Sequence, residues 1–400
     1  MTHEGRQYRQ RWAVLGIVYL CSLAFAATFQ CLPPLLPRII NELNITHAEA
    51  GLLMSATSLL GVILCIPAGM LADRYGQRLL IISSLAAILA GQAVFALSGS
   101  LPALITGRLL AGAGAMTMTV MLPQLITHWF AGREIGIAMG VFNSGMPLGT
   151  IASLNILSLT GEVLGWRPSI WLAAVMPLLA LIVFAHLLPK TKPMMEDTAP
   201  LRPHGGILAG IKSAGGQVWV LGAAWLFFNA GAVSFLTFTP DFLRSVGYSP
   251  ASSGLITSAV MWSSLFISPL CGWLIDRYGR GRAMVAAAAT VQCILVFLYP
   301  DLFPWALAVT ISMGLVQPFI PAPVMALAPQ VVRRERLGLG FGIISTCLNL
   351  GIIIGPWAAG FVRDFTGSYT ASYAMMAFFL LLIMFTMLAL RLPLKEAQKP

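Results

Sequence analysis

The sequence is poor in charge. Asp, Glu, Lys and Arg make up only 10% of its 400 residues, where soluble domains average about 25%. Acids are the scarcer sign, fourteen against twenty-four Lys and Arg. They lie in tails, loops or the ends of apolar runs, and none sits squarely in the middle of one. Long polar stretches are lacking too. The longest, 190–216, leaves no room for a soluble domain. Enzyme signatures are missing: there is no His-Glu-x-x-His, no Gly-x-Ser-x-Gly and no P-loop. Their absence argues against a zinc peptidase, a serine hydrolase of that type and a chain that itself hydrolyses ATP. Gly112-x-Gly114 and Gly338-x-Gly340-x-Gly342 lie within apolar runs with no strand pattern before them. They read as helix-packing glycines, not phosphate cradles, and no cofactor is implied. The six cysteines (Cys21, Cys31, Cys65, Cys271, Cys293, Cys347) also fall inside or at the ends of apolar runs. Their spacing suits neither disulfides nor zinc, so they are taken as small apolar packing residues.

What fills the chain instead is hydrophobic sequence, 58% of all residues. Twelve apolar segments long enough to cross a bilayer are predicted at 12–36, 48–71, 79–98, 102–127, 135–158, 169–188, 217–240, 251–275, 283–300, 304–327, 338–361 and 372–391. Unbroken apolar runs lack the alternation of a barrel, so the spans are helices. Arg6, Arg9 and Arg11 followed by Ala24-Phe25-Ala26 imitate a signal peptide, but the apolar run continues past that point and is read as a retained first helix. The net charge of +10 is explained by topology, not by nucleic acid. Placing the N-terminus inside puts 19 of the 24 basic residues in the tails and alternate loops of one side. Only Arg38, Arg108, Arg167, Arg244 and Arg363 remain. That asymmetry predicts both termini in the cytoplasm and an even number of spans.

One stretch occurs twice. Residues 69–76 read Gly-Met-Leu-Ala-Asp-Arg-Tyr-Gly and residues 272–279 read Gly-Trp-Leu-Ile-Asp-Arg-Tyr-Gly, with six of eight positions identical at an offset of 203. A repeat of half the chain length means two similar halves. Other pieces correspond as well. Glu134-x-Gly136-x-x-x-Gly140 opens segment 5, and Glu335-x-x-Gly338-x-x-x-Gly342 opens segment 11. Small residues four apart let helices approach closely. Gly145, Pro147 and Gly149 in segment 5, and Gly351, Gly355 and Pro356 in segment 11, would let these helices bend.

The duplicated stretch resembles the signature that follows the second helix of major facilitator superfamily transporters, Gly-x-Leu-x-Asp-Arg-x-Gly-x-Arg. Gly69, Leu71, Asp73, Arg74, Gly76 and Arg78 fit it in the first half; Gly272, Leu274, Asp276, Arg277 and Gly279 fit in the second, with the later Arg displaced. Arg108-Leu-Leu-Ala-Gly112-Ala-Gly114 resembles the superfamily's helix 4 motif, with Ala111 in place of its frequent Gln. Gly165-Trp166-Arg167 resembles a turn common in the family. The resemblance implies an all-α polytopic fold of twelve transmembrane helices in two pseudo-symmetric six-helix bundles, 1–189 and 217–400, joined by a cytoplasmic linker at 190–216. It implies a secondary transporter working by alternating access in the bacterial inner membrane. Its partners would be a small-molecule substrate, the lipid bilayer and a coupling ion, either a proton or a counter-substrate, and it would act as a monomer.

Candidate site residues follow. An Arg within a span costs at least ~2.5–3.5 kcal/mol near the helix centre. Arg108 should therefore face the protein interior, unless it reaches the outer interface and pairs with an acid such as Glu162. Neutral polar residues lie near the middle of segments that line or flank the cavity in the superfamily fold: Gln30, Asn143, Asn229, Gln317 and Asn349. These six are the expected substrate contacts. The expected gate is Gly69, Asp73, Arg74, Gly76 and Arg78 with Gly272, Asp276, Arg277 and Gly279. Asp73 should sit near the start of segment 11, and Asp276 near the start of segment 5. A lone cation with no midplane acid favours a small organic or inorganic anion as substrate. An exporter of hydrophobic drugs and a non-transporting receptor or scaffold are the alternatives.

Overall fold

The protein is described here from a computed structural model, which covers residues 3–130, 135–187, 215–278, 281–331 and 337–391. Every described segment is helical or a short turn between helices. The helices are α1 (His3–Gln30), α2 (Leu36–Leu43), α3 (His47–Tyr75), α4 (Gln77–Leu97), α5 (Leu101–Trp129), α6 (Ile135–Leu164), α7 (Trp166–Leu187), α8 (Gly216–Ser245), α9 (Pro250–Tyr278), α10 (Gly281–Leu298), α11 (Ala306–Val316), α12 (Pro321–Val331), α13 (Leu337–Thr366) and α14 (Tyr369–Ala389). Twelve stretches are long and apolar enough to span a membrane. The first is α1 with α2, and the tenth is α11 with α12. Helix is the form such sequence takes, because each backbone N–H then finds its acceptor within its own segment. The turns between spans are tight. Gly165 and Gly367, 202 positions apart, hold φ at +88° and +68° between α6 and α7 and between α13 and α14, a backbone region open to glycine at no steric cost.

Two predicted spans that read as continuous are broken. α1 stops at Gln30, a 3-10 turn follows at Pro33–Leu35, and α2 carries the span on to Leu43. The tenth span breaks at a 3-10 turn over Gln317–Phe319. Proline is the cause in both, because it has no N–H to give the carbonyl four residues back. Pro33 leaves Phe29 O without its helical donor, and Pro318 does the same to Gly314 O. Each carbonyl is supplied from a neighbouring helix: Arg108 Nη2 donates to Phe29 O at 3.4 Å, and Ser264 Oγ donates to Gly314 O at 3.1 Å. The linker at 190–216, apart from Gly215 and Gly216, lies outside the described residues.

α1 to α7 form one half and α8 to α14 the other. The halves meet along two seams, α3 against α13 and α6 against α9. The end where α1 starts and α14 finishes is called here the termini end, and the opposite one the far end. At the far end one apolar core crosses between the halves. It takes in Leu32, Leu36, Leu53 and Leu154 of the first and Phe235, Phe242, Ile256 and Ile352 of the second. A separate core belongs to the first half alone and lies toward the termini end, around Val18, Leu85, Leu122 and Phe184. Burial thus joins the halves at one end.

Candidate functional site

Arg108 lies on the second turn of α5 and is 3% exposed, the one buried Lys or Arg among the described residues. It does not reach the outer interface. Glu162, its candidate partner in the sequence reading, pairs instead with Arg38 at 2.9 Å and Arg244 at 3.3 Å. The guanidinium points into the junction of α1, α3 and α5. Nε donates to Leu53 O at 3.1 Å and Nη1 to Thr28 O at 2.9 Å. Bonds from a charged donor of this kind contribute about 1.5–3 kcal/mol each. The remaining contacts are long: Nη1 to Cys31 Sγ at 3.6 Å, and Nη2 to Phe29 O at 3.4 Å and Met54 Sδ at 3.7 Å. Arg108 therefore gathers carbonyls freed where α1 breaks together with one of α3, and among the described residues its charge is met by dipoles. The Nη2 edge is the loosely held one.

The other expected contacts are dispersed. Gln30 is 1% exposed, and its Oε1 has no hydrogen-bond partner. Asn349 is buried on α13, where Nδ2 donates to Ser345 O at 3.0 Å and Oδ1 has no partner. A Cβ on Gly61 of α3 would meet that Oδ1 at 3.1 Å, so Asn349 stands at the inner limit of the α3–α13 seam. Gln317 sits in the turn between α11 and α12, beside a small cavity it shares with Gln292 and Phe235 of the second half. Asn229 is tied to its own helix, Nδ2 to Trp225 O at 2.8 Å. Asn143 is exposed and lines a recess of about 170 Å³ between α1, α5 and α6, with Ser22, Phe25, Met118 and Thr119. Only Gln30 lies beside Arg108 in the chain path, at the end of α1. The six do not form one coordination shell.

Of the expected gate, Gly279 lies outside the described residues; Gly69, Asp73 and Arg74 fall in α3 and Gly272 and Asp276 in α9, where the structure describes the helix but not their surroundings. Gly76 turns the chain between α3 and α4 at φ +81°. Arg78 Nη2 donates to Ala185 O at 2.6 Å, near the end of α7. Arg277 is exposed, its guanidinium 5.2 Å from the centre of the Trp273 ring.

The far end holds a polar seam that the sequence reading missed. His47 opens α3. Its Nε2 lies 3.2 Å from Asp241 Oδ2 of α8, and its Nδ1 lies 3.0 Å from Asp364 Oδ1 of α13. Asp364 also accepts from the backbone N–H of His47 at 3.0 Å and of Ala48 at 2.6 Å, so a carboxylate from one half caps a helix of the other. Tyr369 donates its hydroxyl to Asp241 Oδ2. On the second seam Asn155 Nδ2 donates to Ser258 Oγ at 2.8 Å. Backbones touch beside both clusters. A Cβ on Gly51 would lie 2.2 Å from Pro356 O, and one on Gly254 would lie 2.2 Å from Leu154 O. A sequence signal existed. Gly51 and Gly254 are 203 apart, Arg38 and Asp241 are 203 apart, and Glu162 and Asp364 are 202 apart, all in register with the duplicated motif.

Comparison with known proteins agrees with this architecture. The family model described as Major Facilitator Superfamily matches residues 18–251 and 227–400. The chain is 24% identical over 376 residues to the lysosomal dipeptide transporter MFSD1 of Danio rerio, covering 88% of this chain and 81% of that protein. It is 24% identical over 365 residues to the nitrite extrusion protein of Bacillus subtilis (strain 168), covering 88% and 89%. Among solved structures it resembles nucleoside transporter NupG with a TM-score of 0.78 at 14% identity, over 95% of this chain and 98% of that one.

Proposed function

We propose that this chain, which belongs to the Major Facilitator Superfamily of secondary transporters, carries a small organic or inorganic anion across the membrane by alternating access. The observation that carries the anion reading is Arg108: a buried guanidinium balanced by carbonyl dipoles, with no carboxylate paired to it among the described residues. Its long Nη2 contacts are ones that an oxyanion can displace. A planar guanidinium fork matches a carboxylate or similar oxyanion, and its attraction is stronger in a cavity of low effective dielectric than in water. Two similar proteins fit this chemistry, since nitrite is an oxyanion and a dipeptide carries a carboxylate. Both termini are assigned to the cytoplasm by the distribution of basic residues. The far end is then the external face, held shut by its two seams, with substrate entering from the termini end. Closure of the termini end is assigned to the duplicated motif, with Asp73 meeting the start of α13 and Asp276 the start of α6, each carboxylate favoured at a positive helix end. The 190–216 segment would link the two bundles on the cytoplasmic side.

The test is uptake into proteoliposomes against a panel of nitrite, short carboxylates and dipeptides. Arg108→Lys keeps the charge and loses the fork, so apparent affinity should fall roughly 10- to 150-fold, the ~1.5–3 kcal/mol of one charged hydrogen bond. Arg108→Gln should abolish uptake at matched reconstitution. Unchanged uptake of every anion in Arg108→Gln would remove the anion reading and leave the transporter family standing.

A further inference from the structure

We propose that His47, Asp241 and Asp364 form a proton-binding site that exists only while the far end is closed, so that closing the far end takes up one proton. The inference rests on the alternating-access reading, and it starts from hydrogen-bond bookkeeping. Both ring nitrogens of His47 face carboxylate oxygens, at 3.2 and 3.0 Å. A neutral imidazole has one N–H and one lone pair. A lone pair aimed at a carboxylate finds no proton, so two such contacts need an imidazolium or a protonated acid. The acids are surrounded by donors. Asp241 Oδ2 also receives the Tyr369 hydroxyl, and Asp364 receives two backbone N–H groups of α3. With those donors already on the acids, the extra proton of the cluster is assigned to His47.

The partners sit on opposite halves. His47 belongs to α3, while Asp241, Asp364 and Tyr369 belong to α8, α13 and α14 of the second half. Arg363 of α13 lies over the Tyr369 ring at 4.2 Å and offsets the remaining negative charge. On the imidazole's own helix, Glu49 accepts from Thr46 rather than from the ring. Separating the halves strips His47 of both carboxylates and exposes it to water, where an unperturbed His titrates at about 6.5. From about that pH upward, until the closed cluster itself gives up its proton, the closed state holds up to one proton more than the open state, and acid favours closure. The Glu162–Arg244 pair between α6 and α8 answers acid with the opposite sign. Protonating Glu162 releases Arg244 across the halves and loosens the same end.

The measurement is energy transfer between fluorophores attached through non-canonical amino acids at positions 100 and 301, exposed far-end sites on opposite halves. In nanodiscs between pH 5.5 and 8.5, the wild-type labels should be closer in acid, with a closed-to-open ratio changing by at most about tenfold per pH unit for one proton. His47→Gln keeps a polar side chain without the charge and should be open-shifted and flat with pH. His47→Lys carries a fixed charge and should be closed-shifted and flat. A wild-type distance indifferent to pH, an opening in acid, or an unaltered pH response in both variants would each overturn the proposal. If no anion in the panel is carried while the pH-linked shift persists, the substrate reading fails and the proton site stands. If Arg108-dependent uptake holds while the shift is absent, the reverse follows.

Discussion

Adding a methyl group at Gly51 or Gly254 should open the far end without unfolding either half. In Gly51→Ala the new Cβ would lie 2.2 Å from Pro356 O, and in Gly254→Ala 2.2 Å from Leu154 O. Ordinary contact begins near 3.4 Å, so each seam must widen by about 1.2 Å at that point. The obstacle is a carbonyl of the facing helix, which no change of rotamer moves. A gap of even 0.5–1 Å forfeits a quarter to a half of the dispersion energy of the atoms that line it, and overpacking of this kind costs about 1–3 kcal/mol. Only the closed far end makes these contacts, so the cost falls on one state. It should lower the closed-to-open ratio roughly 5- to 150-fold, with the double variant lower again. The fluorophore pair at positions 100 and 301 reads the ratio directly. Gly112→Ala is the control: its Cβ would lie 2.1 Å from Thr57 O, but α5 and α3 belong to the same half. That variant should lose thermal stability and leave the ratio alone. If Gly51→Ala loses as much thermal stability as Gly112→Ala while the far-end distance stays fixed, the seams are not the closing contacts.

Glu162→Gln removes the anion between Arg38 and Arg244. These are partly exposed ion pairs, so the far end should loosen by about 1 kcal/mol at most, and the difference from wild type should shrink as salt rises from 0.01 to 1 M. Asp73→Asn should cut initial uptake severalfold at equal expression; full transport in that variant would detach the duplicated motif from gating. Chains split near Pro200 and co-expressed should reassemble into an active, co-purifying pair, whereas stable halves that never associate would argue against separate folding of the bundles.

Much of the fold was legible because a bilayer constrains sequence so tightly. Segment 7, expected at 217–240, runs as α8 over Gly216–Ser245, and segment 12, expected at 372–391, runs as α14 over Tyr369–Ala389. The breaks after Gln30 and at Gln317 were missed, because hydropathy is indifferent to proline and the helices carry Pro123, Pro147, Pro177, Pro240 and Pro356 without interruption. Arg108 was singled out correctly as interior, since an unpaired cation has few alternatives in hydrocarbon. That it would bond to carbonyls depended on the break in α1 and could not be read from spacing. The far-end cluster escaped because His47, Asp241 and Asp364 are far apart in sequence and each looks like an ordinary helix-end residue. Only the offset that relates the halves brings their neighbourhoods into register.

The seams have a consequence for how such a protein diversifies. At Gly51, Gly254 and Gly360 main chain rests on main chain, so closure at those points asks of the sequence only that three positions carry no side chain. Residues away from these contacts are under no such demand. Side chains facing the solute can be exchanged for others of different size and polarity without retuning the surfaces that open and close. Cargo and mechanism become separately heritable, and a single frame can be rewritten for many solutes while its hinge line stays unedited.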